Sequence, residues 1–216
     1  LSFSRLAWRI LKETGGITRT QLQKNAINML IRKVLEEEKD HLRVYKKSAD
    51  KFGFVEQFEK LITELKRQAI TIDALSNKLA FLDEEETRNH VLFDKLHDIV
   101  TVWKQIEHTL DGRYAGIEDY LMVSANKISE SSFLEEAEIF VDGFHSFTPQ
   151  ELNVLQALMK KGRHTTIALT LDKPKEEEIN PLDLFFQTGQ TYKKLTHLCE
   201  ETECEIEETI RFQAGQ

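Results

Sequence analysis

The chain is poor in the residues that mark several large classes of protein. Only 9 glycines and 3 prolines occur in 216 residues, which argues against a flexible linker, a collagenous chain and an all-β protein with many tight turns. The two cysteines, Cys199 and Cys204, are too few for a disulfide framework or a four-cysteine metal site. No apolar run approaches the roughly 20 residues that a membrane span needs. We therefore expect one or two domains in a reducing cytoplasm, without membrane contact.

Acidic residues outnumber basic ones, but the excess is uneven along the chain. The formal net charge is −8, from 29 Lys and Arg against 37 Asp and Glu. Residues 1–51 nevertheless carry 12 basic and 6 acidic residues, whereas residues 135–216 carry 8 and 16. Because screening limits exposed charges to about 10 Å, a basic first quarter can attract phosphate within an acidic chain. Solvated helix faces without a partner give the same pattern, so charge alone leaves both interpretations open.

The stretch from residue 17 to residue 134 has the apolar spacing of helices. Apolar residues recur every three to five positions between Leu22 and Leu35, and Thr18 or Thr20 is a suitable cap for that helix. Further amphipathic segments follow at residues 54–65, 72–82, 91–110 and 117–125. The pattern predicts a bundle of helices with little strand.

The last third of the chain alternates between strands and helices. Residues 137–142 and 165–171 are typical of short buried strands. The helix between them has a capping-box start, formed by Thr148, Pro149 and Glu151. A strand, a helix and a strand of these lengths predict a βαβ unit, whose strands are parallel. A further helix and a further strand are predicted over residues 192–201 and 205–210.

A string of residues that begins in the first of these strands carries chemical meaning. It reads Ile-Phe-Val-Asp-Gly-Phe-His-Ser-Phe-Thr-Pro-Gln over residues 139–150. An apolar strand that ends in an acid, here Asp142, is the Walker B arrangement, in which the carboxylate holds the water shell of a magnesium ion beside a nucleotide. The extension through Phe-Thr-Pro-Gln resembles motif II of UvrD-like superfamily 1 helicases.

A second segment, at the start of the chain, narrows the resemblance. Residues 2–8 read Ser-Phe-Ser-Arg-Leu-Ala-Trp and resemble motif Ia of the same helicases. Together with the helical stretch between them, the two segments closely resemble the AddB family, the second subunits of bacterial AddAB helicase–nucleases. The resemblance implies a helix-rich α/β fold of the P-loop NTPase type. Residues 1–16 and 135–216 would form part of RecA-like domain 1A, and residues 17–134 an inserted helical domain like 1B.

Several parts that ATP hydrolysis needs are altered or missing. Gly143 stands where an active helicase of this class has the glutamate that polarises the attacking water. Residues 169–174 read Leu-Thr-Leu-Asp-Lys-Pro where the next family motif has Gly-Asp-x-x-Gln, and the phosphate-binding Gly-x-x-x-x-Gly-Lys-[Ser/Thr] is nowhere in the sequence. Loss of such groups costs orders of magnitude in rate. We therefore expect Asp142 and Gly143 to be a degenerate Walker B pair, and the chain to hydrolyse no ATP.

The same resemblance implies a face that binds DNA. Motif Ia contributes to strand binding in related helicases, so we expect Phe3 and Trp8 to stack on bases and Arg5 to pair with phosphate or a base edge. Phe144 and His145 follow the strand end, where open α/β sheets bind ligands. In the AddB family this channel is implied to scan single-stranded DNA for the recombination hotspot Chi. The alternative for Phe3 and Trp8 is burial in the core beneath the sheet.

The resemblance also implies partners and cofactors. Family members pair with an AddA-like motor subunit, act on single- and double-stranded DNA, and process double-strand breaks for recombinational repair in the bacterial cytoplasm, at the nucleoid. ATP, Mg²⁺ and an iron–sulfur cluster belong to the parent family, and we expect none of them in this segment. Its seven histidines lack the spacing of zinc ligands. Two alternatives stay open: a scaffold that docks the motor subunit without touching DNA, and a truncated active helicase completed by other chain.

Overall fold

Eight α-helices and four short strands form within the residues that the structure describes. The structure is a computed structural model, and it describes residues 1–16, 20–84, 90–110, 114–115, 117–174 and 179–212. The chain divides into two compact units, residues 1–124 and 125–216. The elements in chain order are α1 (Phe3–Thr14), β1 (Thr20–Gln21), α2 (Lys24–Glu37), α3 (Phe52–Arg67), α4 (Ile72–Glu84), α5 (His90–Leu110), β2 (Tyr114–Ala115), α6 (Ile117–Lys127), β3 (Glu138–Val141), α7 (Pro149–Lys161), β4 (His164–Ile167) and α8 (Phe186–Thr202).

The helix-rich α/β character expected from the sequence is confirmed by this element order. Short 3-10 helices also occur at Tyr45–Lys47 and Ile128–Glu130. Over the described ranges, no helix is both long and apolar enough to cross a bilayer. The assignment of residues 17–134 to an inserted domain stays a prediction.

Apolar side chains from three helices form the core of the first unit. Ile31 and Leu35 of α2 are inaccessible to solvent, as the helical spacing of this segment predicts. They belong to one cluster with Phe58 of α3 and with Val102 and Trp103 of α5. Phe58 and Trp103 are large and almost fully buried. Burial of each ring therefore stabilises the fold by on the order of 2–3 kcal/mol.

The start of α2 differs from the sequence expectation. Thr20 lies in β1, which pairs in parallel with β2 through Thr20 and Tyr114. This long-range pair holds Thr20 extended, and α2 begins only at Lys24. Its N-cap, Gln23, makes no side-chain cap hydrogen bond. The expectation that Thr20 caps this helix is therefore wrong, and the alternative cap, Thr18, lies outside the described residues.

The first helix, α1, has one apolar face and ends at a glycine. Its buried side chains are Ala7, Ile10 and Leu11. Leu11 packs against Tyr120 of α6, within the first unit. Gly15 has a φ of 80°, a backbone conformation that few other residues adopt, and it ends the helix.

A buried carboxylate on α5 fixes the chain between α2 and α3. Asp98 is completely inaccessible to solvent. Its Oδ1 accepts the backbone N–H of Arg43 at 2.8 Å, and its Oδ2 accepts those of Val44 and Tyr45 at 2.8 and 2.9 Å. These three consecutive N–H groups lie at the start of a 3-10 helix and have no partner within it. Asp98 satisfies all three from a position 53 to 55 residues further along the chain.

The second unit contains the βαβ arrangement that the sequence predicts. β3 and β4 pair in parallel, with Glu138 opposite His164 and Val141 opposite Ile167. The capping box of α7 is complete, since the backbone N–H of Glu151 reaches the hydroxyl of Thr148 and the Glu151 carboxylate accepts the N–H of Thr148 at 2.8 Å. Gly162 follows the last residue of α7, as the sequence indicates.

The two strands are shorter and more exposed than expected. Each has four residues whose side chains alternate between exposed and half-buried. Phe140 of β3 is 73% exposed. The expectation of buried strands is therefore wrong, because a pair of strands has two open edges and cannot by itself cover both faces of a parallel sheet.

The chain after α7 also departs from the sequence expectation. α8 begins at Phe186, six residues before the predicted start at 192. Residues 205–210, predicted as a strand, have no regular structure. A contact of Glu207 with the imidazole of His164, at 3.3 Å, and an ion pair of Arg211 with Asp172, at 3.1 Å, hold this segment through side chains. A strand needs a backbone hydrogen-bonding partner, which the sequence of a single segment does not supply.

A cation links three helices of the first unit. Lys66 of α3 lies 3.0 Å from Glu107 of α5 and 2.7 Å from Asp119 of α6. Burial alone lowers the pKa of Lys66, but the charges of Asp119 and Glu107 outweigh burial and raise that pKa above its usual value. The protonated ammonium therefore stabilises the folded state.

We expect Asp98→Asn to destabilise the chain strongly. The asparagine side chain offers fewer hydrogen-bond acceptors than aspartate to the three backbone N–H groups of residues 43–45. We expect this loss to lower the free energy of unfolding by about 2–3 kcal/mol. Urea unfolding followed by far-UV circular dichroism measures this cost. The matched control is Asp94→Asn, one turn earlier on α5, whose partly exposed ion pair with Arg43 predicts a loss below about 1 kcal/mol. Equal effects of the two substitutions would contradict this role of Asp98.

The contribution of Lys66 predicts a loss of stability in alkali. Because the folded pKa lies above the unfolded one, the contribution is complete below the ordinary lysine pKa of about 10.4 and is lost as pH rises through the folded value. Between pH 10 and pH 12, as an order-of-magnitude window, the wild type should therefore lose stability more steeply than Lys66→Met. Lys33→Met, at a side chain that is 64% exposed, should keep the wild-type slope.

Candidate nucleic-acid interface

One face of α1 combines three cations with a tryptophan. Arg5, Trp8, Arg9 and Lys12 are all exposed, and Trp8 is exposed over 49% of its surface. Steps of three and four residues bring side chains to the same side of a helix. The opposite side is the buried face of Ala7, Ile10 and Leu11. Burial of that face turns the four polar and aromatic side chains toward solvent.

The residues proposed from motif Ia occupy different positions on this helix. Arg5 and Trp8 share the exposed face, whereas Phe3, the first residue of α1, is half-buried. The Trp8 ring meets Tyr120 edge to face, with centroids 6.5 Å apart. Trp8 keeps about half of its surface accessible to solvent beside this contact. Trp8 is therefore not a core residue of the chain, and DNA binding by Phe3, Arg5 and Trp8 stays a prediction.

Two cations on the same face were missed by reasoning from the motif alone. Arg9 and Lys12 follow Arg5 by four and seven residues, which is the spacing of one helix face. The signal was available in the sequence, but it requires reading residues 3–14 as a helix. We use the name basic face of α1 for the exposed side of this helix, formed by Arg5, Trp8, Arg9 and Lys12.

The acid at the end of β3 is engaged by its own loop. Asp142 immediately follows the strand and is exposed. Its Oδ1 accepts the backbone N–H of Gly143 at 2.7 Å. Gly143 has a φ of 81°, and a Cβ added there would meet no atom within 4 Å. The obstacle to a side chain at this position is therefore backbone conformation and not lack of space.

Aromatic side chains line the loop that follows. Phe144 is half-buried and stacks on the buried Phe147, with ring centroids 5.1 Å apart and an angle of 28° between the planes. His145 between them is exposed. Stacking on Phe147 fixes the orientation of Phe144 beside the exposed imidazole.

Helix α8 holds this loop from the side. The hydroxyl of Thr191 donates to the backbone carbonyl of His145 at 2.7 Å. The side-chain amide of Gln187 lies 3.2 Å from the hydroxyl of Ser146. Four residues separate Thr191 and Gln187, so both lie on the side of α8 that faces the loop. The loop 143–147 is thus fixed by a tertiary contact that the sequence did not indicate.

The chemistry available at Asp142 is limited. A magnesium ion in a nucleotide site is held by one or two carboxylates together with the phosphates. Asp142 supplies one carboxylate, and Gly143 supplies no side chain to activate water. Among the described residues, no three His, Cys, Asp or Glu side chains come together as metal ligands. These residues do not by themselves fit a magnesium–nucleotide site, and we derive no catalytic step from them.

The candidate residues fall into the two compact units. Phe3, Arg5 and Trp8 belong to the first unit, on α1. Asp142, Gly143, Phe144 and His145 belong to the second, on one continuous loop after β3. Each group is local in sequence, so each is brought together by a single element and its supports.

Comparison with known proteins places the whole chain in one family. The family model described as "ADDB, N-terminal" matches residues 1–216. The chain is 38% identical over 218 residues to a protein of Geobacillus kaustophilus, covering 100% of this chain and 19% of the relative. It is 44% identical over 195 residues to one of Anoxybacillus flavithermus, covering 90% and 17%. Both relatives are named as a subunit of an ATP-dependent helicase/deoxyribonuclease, and this chain spans less than a fifth of their length.

The backbone at residue 143 predicts how substitutions there behave. Gly143→Glu places a side chain at a positive φ, which costs about 1–2 kcal/mol. Gly143→Asn is the matched control, since asparagine tolerates this conformation better. We expect thermal unfolding to show a lower midpoint for the glutamate variant than for the asparagine variant. Equal midpoints would mean that the loop relaxes to accept any side chain.

Proposed function

The chain belongs to the AddB family, and from that premise we propose that it holds single-stranded DNA without hydrolysing ATP. It does so as a region of the AddB-like subunit of a helicase–nuclease that processes double-strand breaks for recombinational repair. The observation that carries the proposal is the basic face of α1, which presents three cations and an accessible indole in one direction. Single-strand binding sites combine cations along the backbone with aromatic platforms for the bases.

The dimensions of this face suit a short length of strand. From Arg5 to Lys12 the helix rises about 10 Å, enough for contacts to successive phosphates. Arginine forks pair with phosphate oxygens in a bidentate manner, and lysine acts as a point charge. Trp8 lies between Arg5 and Lys12 on this face and provides a surface for base stacking. Phe144 and His145 of the second unit are proposed as further contacts, on a loop held rigid by α8.

The proposal assigns the chain a role without catalysis. Asp142 retains the Walker B acid, but Gly143 lacks the catalytic carboxylate and the phosphate-binding motif is not in this sequence. We propose that ATP, Mg²⁺ and the iron–sulfur cluster of the parent family are held outside this segment, and that an AddA-like partner supplies the motor. Recognition of the hotspot Chi would then depend on binding alone, through base stacking and phosphate contacts with the DNA strand as it moves past.

A second candidate is a scaffold that docks the motor subunit without touching DNA. Several large apolar side chains of the second unit are exposed: Phe140, Leu182, Leu184, Ile210 and Phe212. Exposed apolar side chains in such number are typical of surfaces that contact other protein. This candidate predicts assembly defects rather than changes in DNA affinity, so the two candidates are separable by experiment.

We expect substitutions on the basic face to weaken DNA binding in two distinguishable ways. Trp8→Ala removes stacking, at about 1–3 kcal/mol of binding free energy that depends little on salt. Arg9→Ala and Lys12→Ala should each lower the slope of log K against log salt by about one phosphate contact. Fluorescence anisotropy with a labelled single-stranded oligonucleotide, over a range of salt concentrations and in the full complex, measures both effects.

The control for this experiment is Lys33→Ala, an exposed lysine on α2 whose ion pair with Glu37 is 3.7 Å long. It should leave affinity and slope unchanged. If the triple variant of Trp8, Arg9 and Lys12 assembles normally and binds DNA like the wild type, the DNA-binding proposal fails. Loss of assembly on Ile210→Ser and Phe212→Ser, with DNA affinity intact, would instead favour the scaffold.

A further inference from the structure

The two cysteines of the chain meet at the end of α8. The backbone N–H of Cys204 donates to the carbonyl of Cys199 at 3.0 Å, and the N–H of Glu203 donates to that of Glu200 at 3.3 Å. Glu203 has a left-handed conformation, with a φ of 56°. These two hydrogen bonds around a left-handed residue form a Schellman motif, which folds the following residue back over the last helical turn.

This motif brings the backbones of the two cysteines to the separation that a disulfide spans. A 3.0 Å hydrogen bond between the backbone groups limits the separation of the Cα atoms of Cys199 and Cys204 to about 7 Å. Disulfides usually join Cα atoms about 4.4–6.8 Å apart. Side chains at these two positions of a Schellman motif commonly contact each other. Both cysteines are free and half-buried, so neither is sealed from small reagents.

The surroundings of the thiols favour one order of reaction. Burial raises the pKa of Cys199, and the negative charges of Cys204 and Glu200 raise it further. Cys199 is therefore a poor first nucleophile near neutral pH. The hydroxyl of Thr202 lies 3.2 Å from Sγ of Cys204, so the sulfur of Cys204 has a polar group beside it.

We propose that Cys199 and Cys204 are a thiol–disulfide pair that closes the last turn of α8. The Cys204 thiolate attacks a low-molecular-weight disulfide, forms a mixed disulfide and releases one small thiol. Cys199 then gives up its proton, attacks Sγ of Cys204 and releases the second small thiol. Two protein thiols are oxidised to one disulfide while one small disulfide is reduced to two thiols.

The position of the pair gives the disulfide a structural consequence. Upstream, α8 holds the loop 143–147 through Thr191 and Gln187. Downstream, the segment after Cys204 is tied to the β4 region through Glu207 and Arg211. A covalent bond across the turn restrains the junction between these two contacts, so the oxidation state sets the rigidity of the chain leaving α8.

The experiment treats the full-length subunit with oxidised glutathione and maps the thiols by mass spectrometry. Trypsin cleavage after Lys194 and Arg211 gives one peptide, residues 195–211, that contains both cysteines. We expect this peptide to become lighter by two hydrogen atoms and to resist alkylation by iodoacetamide under denaturing conditions. Two separate glutathione adducts, or two alkylated cysteines, at concentrations that oxidise a control dithiol would overturn the proposal.

Two sets of variants distinguish a cysteine pair that the turn positions for disulfide formation from two cysteines that react independently. Cys199→Ser should trap a single glutathione on Cys204, because the second step is removed. Glu203→Gly keeps the left-handed turn and should form the disulfide at least as fast as the wild type. Glu203→Val disfavours that turn and should slow closure about fivefold or more. Equal rates for the glycine and valine variants would show that the motif does not position the thiols.

Discussion

The helical unit depends on one buried carboxylate. Asp98 accepts three successive backbone N–H groups of residues 43–45, and both of its oxygens are engaged in doing so. Because Asp98 lies on α5 among Ile99, Val102 and Trp103, the same turn of helix holds the connection between α2 and α3 and fills the core between those helices. The polar and apolar interactions therefore specify the same packing, which is the consistency that a unique fold requires. The Lys66 cluster adds a second polar tie between α3, α5 and α6.

The candidate interface follows from a similar constraint on α1. A helix with Ile10 and Leu11 fully buried cannot rotate about its axis without exposing them, at a cost of about 1.5–3 kcal/mol for each side chain. The direction of Arg5, Trp8, Arg9 and Lys12 is thus set by residues that take no part in binding. The contact with Tyr120 already restricts the side chain of Trp8. Stacking of a base on the indole would therefore cost less side-chain entropy than stacking on a freely rotating tryptophan.

Local features of this molecule could be predicted from its sequence, and long-range ones could not. The capping box of Thr148 and Glu151 and the parallel βαβ unit depend on residues close in the chain, and both were anticipated. The role of Asp98 depends on partners more than 50 residues away, and the late start of α2 depends on pairing between Thr20 and Tyr114. Residues 205–210 were predicted as a strand, but strand formation requires backbone pairing with a neighbour, and these residues have no regular structure. Arg9 and Lys12 lie beyond the motif-like residues 2–8, and only the periodicity of α1 places them on the same face as Arg5 and Trp8.

The loop after β3 is fixed both by its own backbone and by side chains of α8. The positive φ of Gly143 turns its N–H toward the carboxylate of Asp142, so the acid stabilises the loop itself. Phe144 is stacked on Phe147, and α8 holds His145 and Ser146 through two hydrogen bonds. A glutamate at 143 would therefore add a carboxylate at a position whose backbone conformation disfavours a side chain. A loop fixed in this way has little conformational freedom, and it holds Phe144 and His145 in one arrangement.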